Sequence, residues 1–205
     1  MNIAVFCSGN GTNLQAIIDA KNKGKITGAI KLVVSDTARC FALERAKKAG
    51  IKIILVERKD KPSKEDFEKE IILNLKKENI DLVVLAGYMR LLSNSFVRQY
   101  KNKILNIHPA LLPSFKGMHG IKDAYLHGVK VTGPTVHFVS EDMDEGPIVL
   151  QKAIVIKEDD TEETLEAKIH REEHRIYPEA IQLFVEGRLN VEGRRVKILP
   201  VKNRR

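Results

Sequence analysis

Short apolar runs alternate with amphipathic stretches along the first half of the chain. Predominantly apolar runs occupy residues 3–6, 30–34, 53–56, 82–86 and 104–107. Runs of this length are typical of strands that are buried on both faces of a sheet. Between them, apolar positions with helical spacing predict helices near residues 12–24, 38–49, 63–79 and 93–101. This alternation predicts an α/β fold with a doubly wound, mostly parallel, Rossmann-like sheet.

The pattern changes after Pro113. Residues 131–139 and 147–156 are predicted to be two strands, and the acidic segment 141–146 joins them. This connection is too short for a helical crossover, so we expect the two strands to form an antiparallel pair. A long helix is predicted over residues 161–185, because two threonines mark its start and a glycine follows its end.

Length and composition limit the class of protein. The 205 residues fit one domain, and we predict a single domain over residues 1–190 and a basic tail over residues 191–205. The net charge is +8, with much of the excess in that tail, and only 5% of residues are aromatic. Because no basic stripe is interleaved with aromatic residues, the composition favours small anionic substrates over nucleic acid.

The chain is predicted to be cytoplasmic and not to enter a membrane. No apolar run approaches the roughly 20 residues that a membrane-spanning helix needs. The start, Met1 to Phe6, lacks the basic segment and the cleavage site of a signal peptide. Cys7 and Cys40 do not make a disulfide framework or, without neighbouring ligands, a metal site. We expect both to be buried thiols in a reducing compartment.

A glycine-containing loop follows the first predicted strand. Gly9 and Gly11 permit a tight turn, and Thr12 and Asn13 open a helix whose N–H groups favour a phosphate. Leu14 stands where the dinucleotide fingerprint has its third glycine, and the Lys of a P-loop is missing. A monophosphate cradle is therefore favoured over a dinucleotide site, and a purely structural turn is the alternative. After the second strand, Asp36 either binds a ribose or caps the next helix.

An amide and an imidazole lie two residues apart at the end of the fifth apolar run. In a strand, Asn106 and His108 point to the same face, and Pro109 and Pro113 stiffen the exit. This pair suits an oxygen that becomes negative during a reaction. Polar residues that only satisfy a strand-end turn are the alternative. A carboxylate such as Asp144 would raise the pKa of His108 above its usual value of about 6.5 if the two met.

The other histidines offer weaker candidates. His170 and His174 are four residues apart on one helix, but the glutamate is not placed as a zinc-binding H-E-x-x-H motif requires, so we predict no metal. His137 lies in a strand and is expected to be a sheet histidine with satisfied hydrogen bonds. His119 either borders the site or caps the following helix. His127 is expected to end a helix before a glycine.

Five motifs, in unbroken order from residue 1 to about residue 190, resemble the folate-dependent phosphoribosylglycinamide formyltransferases of purine synthesis. They are Ser8-Gly9-x-Gly11-Thr12-Asn13-Leu14-Gln15, Ala86-Gly87-Tyr88-Met89-Arg90, Asn106-Ile107-His108-Pro109-Ala110-Leu111-Leu112-Pro113, Val136-His137-Phe138-Val139 with Asp144-x-Gly146-Pro147-Ile148, and Glu173-His174-Arg175-Ile176-Tyr177-Pro178. The Asn-x-His-Pro motif with the later Asp is shared by a wider superfamily. The glycine loop and the last motif indicate this member.

The resemblance implies transfer of a formyl group from 10-formyltetrahydrofolate, as co-substrate, to the amine of phosphoribosylglycinamide. Asn106 and protonated His108 would stabilise the oxyanion, while Asp144 holds His108 charged. The implied residues for phosphoribosylglycinamide are Gly11, Thr12, Asn13, His170 and Glu173. The implied residues for the folate are Lys64, Met89, Arg90, Leu91, Leu92, Asn106, Ser140, Glu141, Asp142, Met143 and Asp144. The expected partners are these two small molecules, without metal, nucleic acid or membrane, in a monomer or homodimer.

Three positions depart from the family pattern, and three other classes of protein compete with it. Lys64 stands where the family often has Arg, Thr12 where Ser is usual, and Lys116 where Pro is frequent. The nearest alternative is another formyl enzyme, such as a formyltetrahydrofolate hydrolase or a methionyl-tRNA formyltransferase. A nicotinamide-dependent oxidoreductase and a non-catalytic nucleotide sensor are the other two.

Overall fold

The computed structural model describes residues 1–201, and they form a central sheet with helices on both faces. The strands are β1 Asn2–Cys7, β2 Ala29–Ser35, β3 Lys52–Leu55, β4 Leu82–Leu85, β5 Ile104–His108, β6 Val131–Thr132, β7 Thr135–Phe138, β8 Ile148–Gln151, β9 Ile154–Val155, β10 Leu189–Glu192 and β11 Arg195–Ile198. The helices are α1 Thr12–Asn22, α2 Phe41–Lys48, α3 Lys64–Lys77, α4 Asn94–Gln99, α5 Gly120–His127 and α6 Glu162–Val185.

The main sheet has the strand order β10-β11-β8-β7-β5-β4-β1-β2-β3. β3, β2, β1, β4 and β5 pair parallel in succession, whereas β7 pairs antiparallel with β5 and with β8. The doubly wound, mostly parallel sheet and the antiparallel pair predicted from the sequence are confirmed. From β1 the chain adds β2 and β3 on one side, and it then crosses to add β4 and β5 on the other side. The direction of winding therefore reverses between β1 and β4. Open α/β sheets bind ligands in the crevice beyond the strand ends at such a point.

The two faces of the sheet carry separate cores, because side chains alternate along each strand. Ile3, Val5 and Cys7 of β1 face one core, which α1, α2 and α6 cover. Ala4 and Phe6 face the other core, which α3 and α4 cover. This alternation explains why the strands are apolar at nearly every position.

Side-chain caps fix the starts of α3 and α6. The Ser63 hydroxyl accepts a hydrogen bond from the Asp66 N–H at 3.0 Å, and the aspartate stands three residues on as the sequence indicated. Thr161 and Thr164 form a reciprocal capping box, in which each side chain accepts from the other residue's N–H. Such caps satisfy N–H groups that have no partner inside the helix. No helix of the described residues is long and apolar enough to cross a membrane.

The structure differs from the sequence prediction in two places near the C-terminal half. The predicted strands 131–139 and 147–156 are each broken, and β6 and β9 pair in a separate two-stranded sheet. Gly133 has a φ of 142°, and Pro134, which follows it, has no N–H for a ladder. These two residues end β6 and turn the chain into β7.

The segment predicted as a basic tail contributes to the sheet. β10 and β11 form an antiparallel hairpin, and Arg195 of β11 pairs in parallel with Ile148 of β8. Arg194, in the turn of the hairpin, forms an ion pair with Glu145 at 3.0 Å. Residues 191–198 are therefore sheet rather than tail, because the alternation of apolar and polar residues continues past residue 190. Residues 202–205 of the predicted tail lie outside the described residues.

Candidate active site

Asn106 and His108 lie at the carboxyl end of β5, where β7 pairs with it antiparallel. The side chain of His108 is buried, and its Nδ1 lies 3.4 Å from Oδ2 of Asp144. Asp144 comes from the acidic loop (residues 141–146) that joins β7 to β8, and its φ is 56°. The three residues that the sequence analysis named as catalytic are therefore neighbours, although 36 positions separate His108 from Asp144.

Two backbone contacts hold Asp144 in this position. Its Oδ2 accepts a hydrogen bond from the Gly117 N–H at 2.9 Å. Two residues after Asp144, a Cβ at position 146 would lie 1.7 Å from the Phe138 carbonyl oxygen, so the chain requires a glycine there. The acidic loop is therefore packed directly against the end of β7, and the carboxylate is fixed toward His108.

His137 is a site residue that the sequence analysis assigned to the sheet alone. Its Nδ1 donates to the Phe138 carbonyl at 2.8 Å, because a carbonyl can only accept. Its Nε2 lies 3.2 Å from Asn106 Nδ2 and 3.6 Å from Asp144 Oδ1. This contact orients the Asn106 amide, with its second N–H left for another acceptor. No local sequence pattern reveals this contact. It depends on the register between β5 and β7, which places His137 opposite Asn106.

Burial determines the charge of His108. Its Nε2 donates to the Phe115 carbonyl at 2.7 Å while Nδ1 faces Asp144, so both ring nitrogens face acceptors. Burial nevertheless lowers the pKa of His108 below its usual value, and the Asp144 carboxylate and the Phe115 carbonyl oppose this effect only in part. The expectation that Asp144 raises the pKa of His108 is right for the pairwise contact, but the net direction is wrong because desolvation is larger.

Asp144 itself is ionised. Burial alone would raise its pKa, but the contacts with His137, the Gly117 N–H and His108 together lower the pKa below its usual value. Hydrogen bonds to the charged form of a carboxylate favour that form. A fixed negative charge therefore lies beside an imidazole that is mostly neutral near pH 7. If a second negative charge forms nearby, the two charges together favour protonation of the imidazole.

The phosphate loop (residues 8–11) leads into α1 with an open helix end. Gly11 is the N-cap residue with a φ of 70°, and no side chain caps the first turn. A Cβ on Gly11 would lie 2.7 Å from the Ala42 Cβ, so the loop is packed tightly on α2. From α2, Arg45 donates to the Asn10 carbonyl at 3.0 Å and brings a positive charge to the loop. These features suit a phosphate at the N–H groups of Thr12 and Asn13.

Glu173 of α6 is hydrogen-bonded to the first turn of α1 and to a histidine of its own helix. This buried carboxylate accepts from Asn13 Nδ2 and from His170 Nδ1, each at 2.9 Å. The hydrogen bond to Glu173 raises the pKa of His170, whose Nε2 also faces Glu166 at 3.3 Å. Of the five residues that the resemblance linked to the substrate, Gly11 is the N-cap residue of α1. The other four lie on α1 and α6: Thr12, Asn13, His170 and Glu173.

Two buried polar atoms beside this group have no hydrogen-bond partner within residues 1–201. They are Asn13 Oδ1 and His174 Nε2. His174 lies one turn after His170, and the two rings are stacked with centroids 6.5 Å apart. A buried polar atom without a partner is rare in a folded protein, and a ligand can satisfy it. In the sequence, His174 stood out as a rejected metal ligand and as a member of the last family motif; no metal-binding cluster occurs among the described residues.

Comparison with known proteins identifies the family. A family model described as formyl transferase matches residues 1–181. The phosphoribosylglycinamide formyltransferase of Escherichia coli strain K12 is 43% identical over 191 residues, which are 93% of this chain and 90% of that relative. The chain belongs to the formyl transferase family. The human trifunctional purine biosynthetic protein adenosine-3 is 44% identical over 98% of this chain, which spans 20% of its length.

The fold of this formyl transferase is also that of solved relatives. The crystal structure of glycinamide ribonucleotide transformylase 1 from Symbiobacterium toebii superposes with a TM-score of 0.95 at 50% identity. The superposition covers 98% of this chain and 94% of the other. The similarity therefore extends over the whole sheet, including the edge at which Asn106, His108 and Asp144 meet.

The cleft loop (residues 87–92) forms another side of the site in this formyl transferase. Met89 and Leu91 are exposed, at 64% and 65%, while Leu92 packs against the core. Arg90 is held by Asp36, with Nε 2.5 Å from Oδ2. Lys64, by contrast, is exposed at the start of α3, and its ammonium makes no ion pair within residues 1–201.

The acidic loop supplies the remaining candidates for the folate. The Ser140 hydroxyl donates to the Asp142 carbonyl at 2.9 Å, which turns the chain at the start of the loop. Glu141 forms an ion pair with Arg98 of α4 at 3.0 Å, and Asp142 is exposed. Met143 is half exposed and reaches toward Gly117. Exposed Met side chains are flexible and polarisable, so they suit contact with an aromatic ligand.

Proposed function

We propose that this formyl transferase transfers the formyl group of 10-formyltetrahydrofolate to the amine of phosphoribosylglycinamide. The observation that carries the proposal is the meeting of Asn106, His108 and Asp144 at the same sheet edge as the phosphate loop. The relatives that match over most of the chain carry this activity in their names. The proposed sites follow the geometry: Gly11, Thr12, Asn13, His170 and Glu173 bind the ribonucleotide, and the cleft loop, the acidic loop and Lys64 bind the folate.

The proposed reaction begins when the amine lone pair forms a bond to the formyl carbon. The carbonyl electrons move to the formyl oxygen, which becomes an oxyanion. Asn106 Nδ2 and His108 Nε2 donate to that oxyanion, which replaces the Phe115 carbonyl as the acceptor of His108. The carbonyl then re-forms, the bond from the formyl carbon to N10 of the folate breaks, and N10 gains a proton while the amine loses one. Preorganised donors of this kind are each worth about 10²–10³ in rate.

His108 is proposed to supply the proton that N10 of the folate gains. In the free protein, burial lowers the pKa of His108. The oxyanion adds a second negative charge beside Asp144, and an opposite charge within about 4–6 Å favours the protonated imidazole. As the intermediate forms, the imidazole takes up a proton from water at Nδ1, beside Asp144, and the attacking amine releases one to water. As the intermediate collapses, Nε2 of His108 gives its proton to N10. This cycle needs no metal.

A direct assay tests the proposed function. Purified protein is incubated with 10-formyltetrahydrofolate and phosphoribosylglycinamide in the presence of EDTA, and both products are quantified. We expect equal amounts of N-formyl product and tetrahydrofolate. Release of tetrahydrofolate without formylated amine indicates a hydrolase. Binding of both molecules without turnover indicates a nucleotide sensor, and either result contradicts the proposal.

Replacing Asp144 by asparagine is expected to change the pH dependence of kcat. Asparagine keeps the acceptor for the Gly117 N–H but removes the charge that raises the pKa of His108. The pKa of His108 then falls further, so its protonated fraction drops at every pH above that value. We expect kcat of D144N at pH 7.5 to be about 10–1000-fold below wild type, since a nearby opposite charge shifts a pKa by about 1–3 units.

The deficit of D144N should shrink as the pH is lowered from 8 toward 5, because bulk protons replace the lost electrostatic effect. The test is to measure kcat of the wild-type protein and of D144N as a function of pH over this range. Glu141→Gln is the matched control, since it removes an exposed carboxylate of the same loop that pairs with Arg98. A D144N deficit that is the same at every pH contradicts the role given to Asp144.

Glu173→Gln is expected to weaken binding of the ribonucleotide. The buried carboxylate accepts from Asn13 Nδ2 and from His170 Nδ1, and this contact raises the pKa of His170. Hydrogen bonds to charged groups are worth about 1.5–3 kcal/mol, so KM for phosphoribosylglycinamide should rise about 10–100-fold. KM for the folate should stay within about twofold of wild type.

Steady-state kinetics with each substrate varied in turn make this measurement. Glu166→Gln is the control, because Glu166 contacts the other nitrogen of His170 from an exposed position. Equal rises of both KM values in E173Q would argue against a ribonucleotide site at α6.

The cytoplasm is the proposed compartment of the protein. Cys7 and Cys40 are both buried free thiols, and free thiols are usual in a reducing compartment.

A further inference from the structure

Asp36 is a buried carboxylate between two loops of the site, and the mechanism above does not use it. It follows β2 directly, and its side chain is 5% exposed. The sequence left open whether it binds a ribose or caps α2. The N-cap residue of α2 is Cys40, and no side chain caps that helix. The carboxylate of Asp36 instead accepts hydrogen bonds from the phosphate loop and the cleft loop.

Each carboxylate oxygen serves one loop. Oδ1 accepts from the Ser8 hydroxyl of the phosphate loop at 2.6 Å. Oδ2 accepts from Arg90 Nε of the cleft loop at 2.5 Å. The Thr37 hydroxyl adds a longer contact to Oδ1 at 3.2 Å. Hydrogen bonds to a charged acceptor are roughly twice as strong as those between neutral groups, so Asp36 is a strong link between the two loops.

The contacts close into a ring. The Ser8 hydroxyl, which donates to Asp36, accepts from the Met89 N–H at 3.0 Å. Met89 precedes Arg90, so the path from Asp36 through Ser8 and Met89 returns to Asp36 through Arg90. A further bond from the Ser8 N–H to the Gly87 carbonyl, at 3.0 Å, fixes the base of the ring. A displacement of either loop therefore lengthens a contact of the other.

We propose that Asp36 is a positioning residue that couples the two substrate sites, so that each bound substrate raises the affinity for the other. This inference rests on the proposed function, in which the phosphate loop binds the ribonucleotide and the cleft loop binds the folate. When one substrate orders its loop, the ring holds the other loop in its binding geometry. The second substrate then meets a site with fewer conformations to lose. By thermodynamic linkage, the factor must be the same in both directions.

A carboxylate is required at this position because the ring has two donors that point at one side chain. An asparagine offers one acceptor oxygen to the Ser8 hydroxyl. Its NH₂ group would then face the Arg90 Nε–H, and two donors cannot bond to each other. Asp36→Asn should therefore open the ring at Arg90 while it preserves the size of the side chain. Ser8→Ala opens the ring on the other side and leaves the ion pair of Asp36 with Arg90 intact.

Calorimetric titrations test the coupling. The dissociation constant for phosphoribosylglycinamide is measured alone and with saturating 5,8-dideazafolate, a folate analogue without a formyl group. The ratio of the two constants is the coupling factor, and the reverse titration must return the same ratio. We expect a factor of about 5–20 in the wild-type protein, within the usual range for linked sites. We expect a factor below about 2 in D36N and in S8A.

Asp160→Asn is the matched control. The side chain of Asp160 is 6% exposed and is likewise hydrogen-bonded to a cation, Lys168, at 2.6 Å, but it contacts neither loop. We expect D160N to retain the wild-type coupling factor, even where its melting temperature falls. A structural role alone for Asp36 would lower stability and both affinities and leave their ratio unchanged. An unchanged ratio in folded D36N, or in S8A should D36N fail to fold, overturns the proposal.

The outcomes for the wild-type protein separate this inference from the proposed function. Binding of each probe alone, with no effect of one on the other, overturns the coupling and leaves the proposed function standing. Failure of the wild-type protein to bind either probe overturns both. Mutual strengthening that disappears in D36N and S8A, and persists in D160N, supports the coupling.

Discussion

Replacing His108 by alanine is expected to lower kcat by about 10³-fold or more. The substitution removes both an oxyanion donor, worth about 10²–10³, and a proton carrier, worth about 10²–10⁴, and the two effects overlap in one side chain. KM for each substrate should change by less than about fivefold, because the only substrate atoms that the ring is proposed to contact are the reacting ones. Rapid-quench or steady-state kinetics at saturating concentrations of both substrates measure the loss.

The matched control for H108A is His127→Ala. The His127 ring packs edge-on against Phe115, the residue whose carbonyl accepts from His108, with centroids 5.6 Å apart. It is exposed at the end of α5 and has no polar contact with Asn106, His108 or Asp144. We expect H127A to retain kcat within about threefold. A folded H108A protein with kcat within tenfold of wild type would contradict the central role of His108.

Replacing Gly11 by alanine is expected to abolish most binding of the ribonucleotide. Residue 11 has a φ of 70°, and a Cβ there would lie 2.7 Å from Cβ and 2.8 Å from Cα of Ala42. The loop or α2 must therefore move, and a displacement of about 1 Å at a binding group can cost about 10² in rate. We expect kcat/KM for phosphoribosylglycinamide to fall about 100-fold. Left-handed strain should also lower the free energy of unfolding by about 1–3 kcal/mol.

Gly9→Ala provides the control in the same loop. A Cβ at position 9 meets no atom within 4 Å, and the φ of Gly9 is outside the left-handed range. We expect G9A to bind the ribonucleotide within about threefold of wild type and to unfold at the same denaturant concentration. Comparable losses in G9A and G11A would mean that the loop is sensitive to any substitution, which contradicts the specific role of the contact between Gly11 and Ala42.

The sequence was sufficient for the positions of the first five strands along the chain, because strands buried on both faces leave continuous apolar runs. It was also sufficient for the starts of α3 and α6, where Ser63 and Thr161 are local caps. It was insufficient for the C-terminal hairpin. Apolar and polar residues alternate from Leu189 to Ile198, which is typical of a strand. The many basic residues of the same segment are typical of a solvated tail, and the prediction followed the charge rather than the alternation.

The candidate site shows the same division between local and distant causes. Asn106 and His108 were recognisable because residues i and i+2 of a strand share a face. The role of His137 depends on the register between β5 and β7, which no local pattern encodes. The pKa of His108 depends on a competition between burial and the charge of Asp144, and the magnitude of burial is a property of the whole fold. The ring around Asp36 likewise joins four residues from three strand ends.

The C-terminal hairpin has a practical consequence for handling the protein. A shortened form that stops at residue 190, where the sequence pattern suggests a domain end, lacks β11 and half of β10. The edge of β8 then has N–H and C=O groups open to solvent, and such an edge is a template for association with other chains. The same cut removes Arg194, the partner of the glutamate next to Asp144. Aggregation and loss of activity in such a form should not be attributed to a defective catalytic centre.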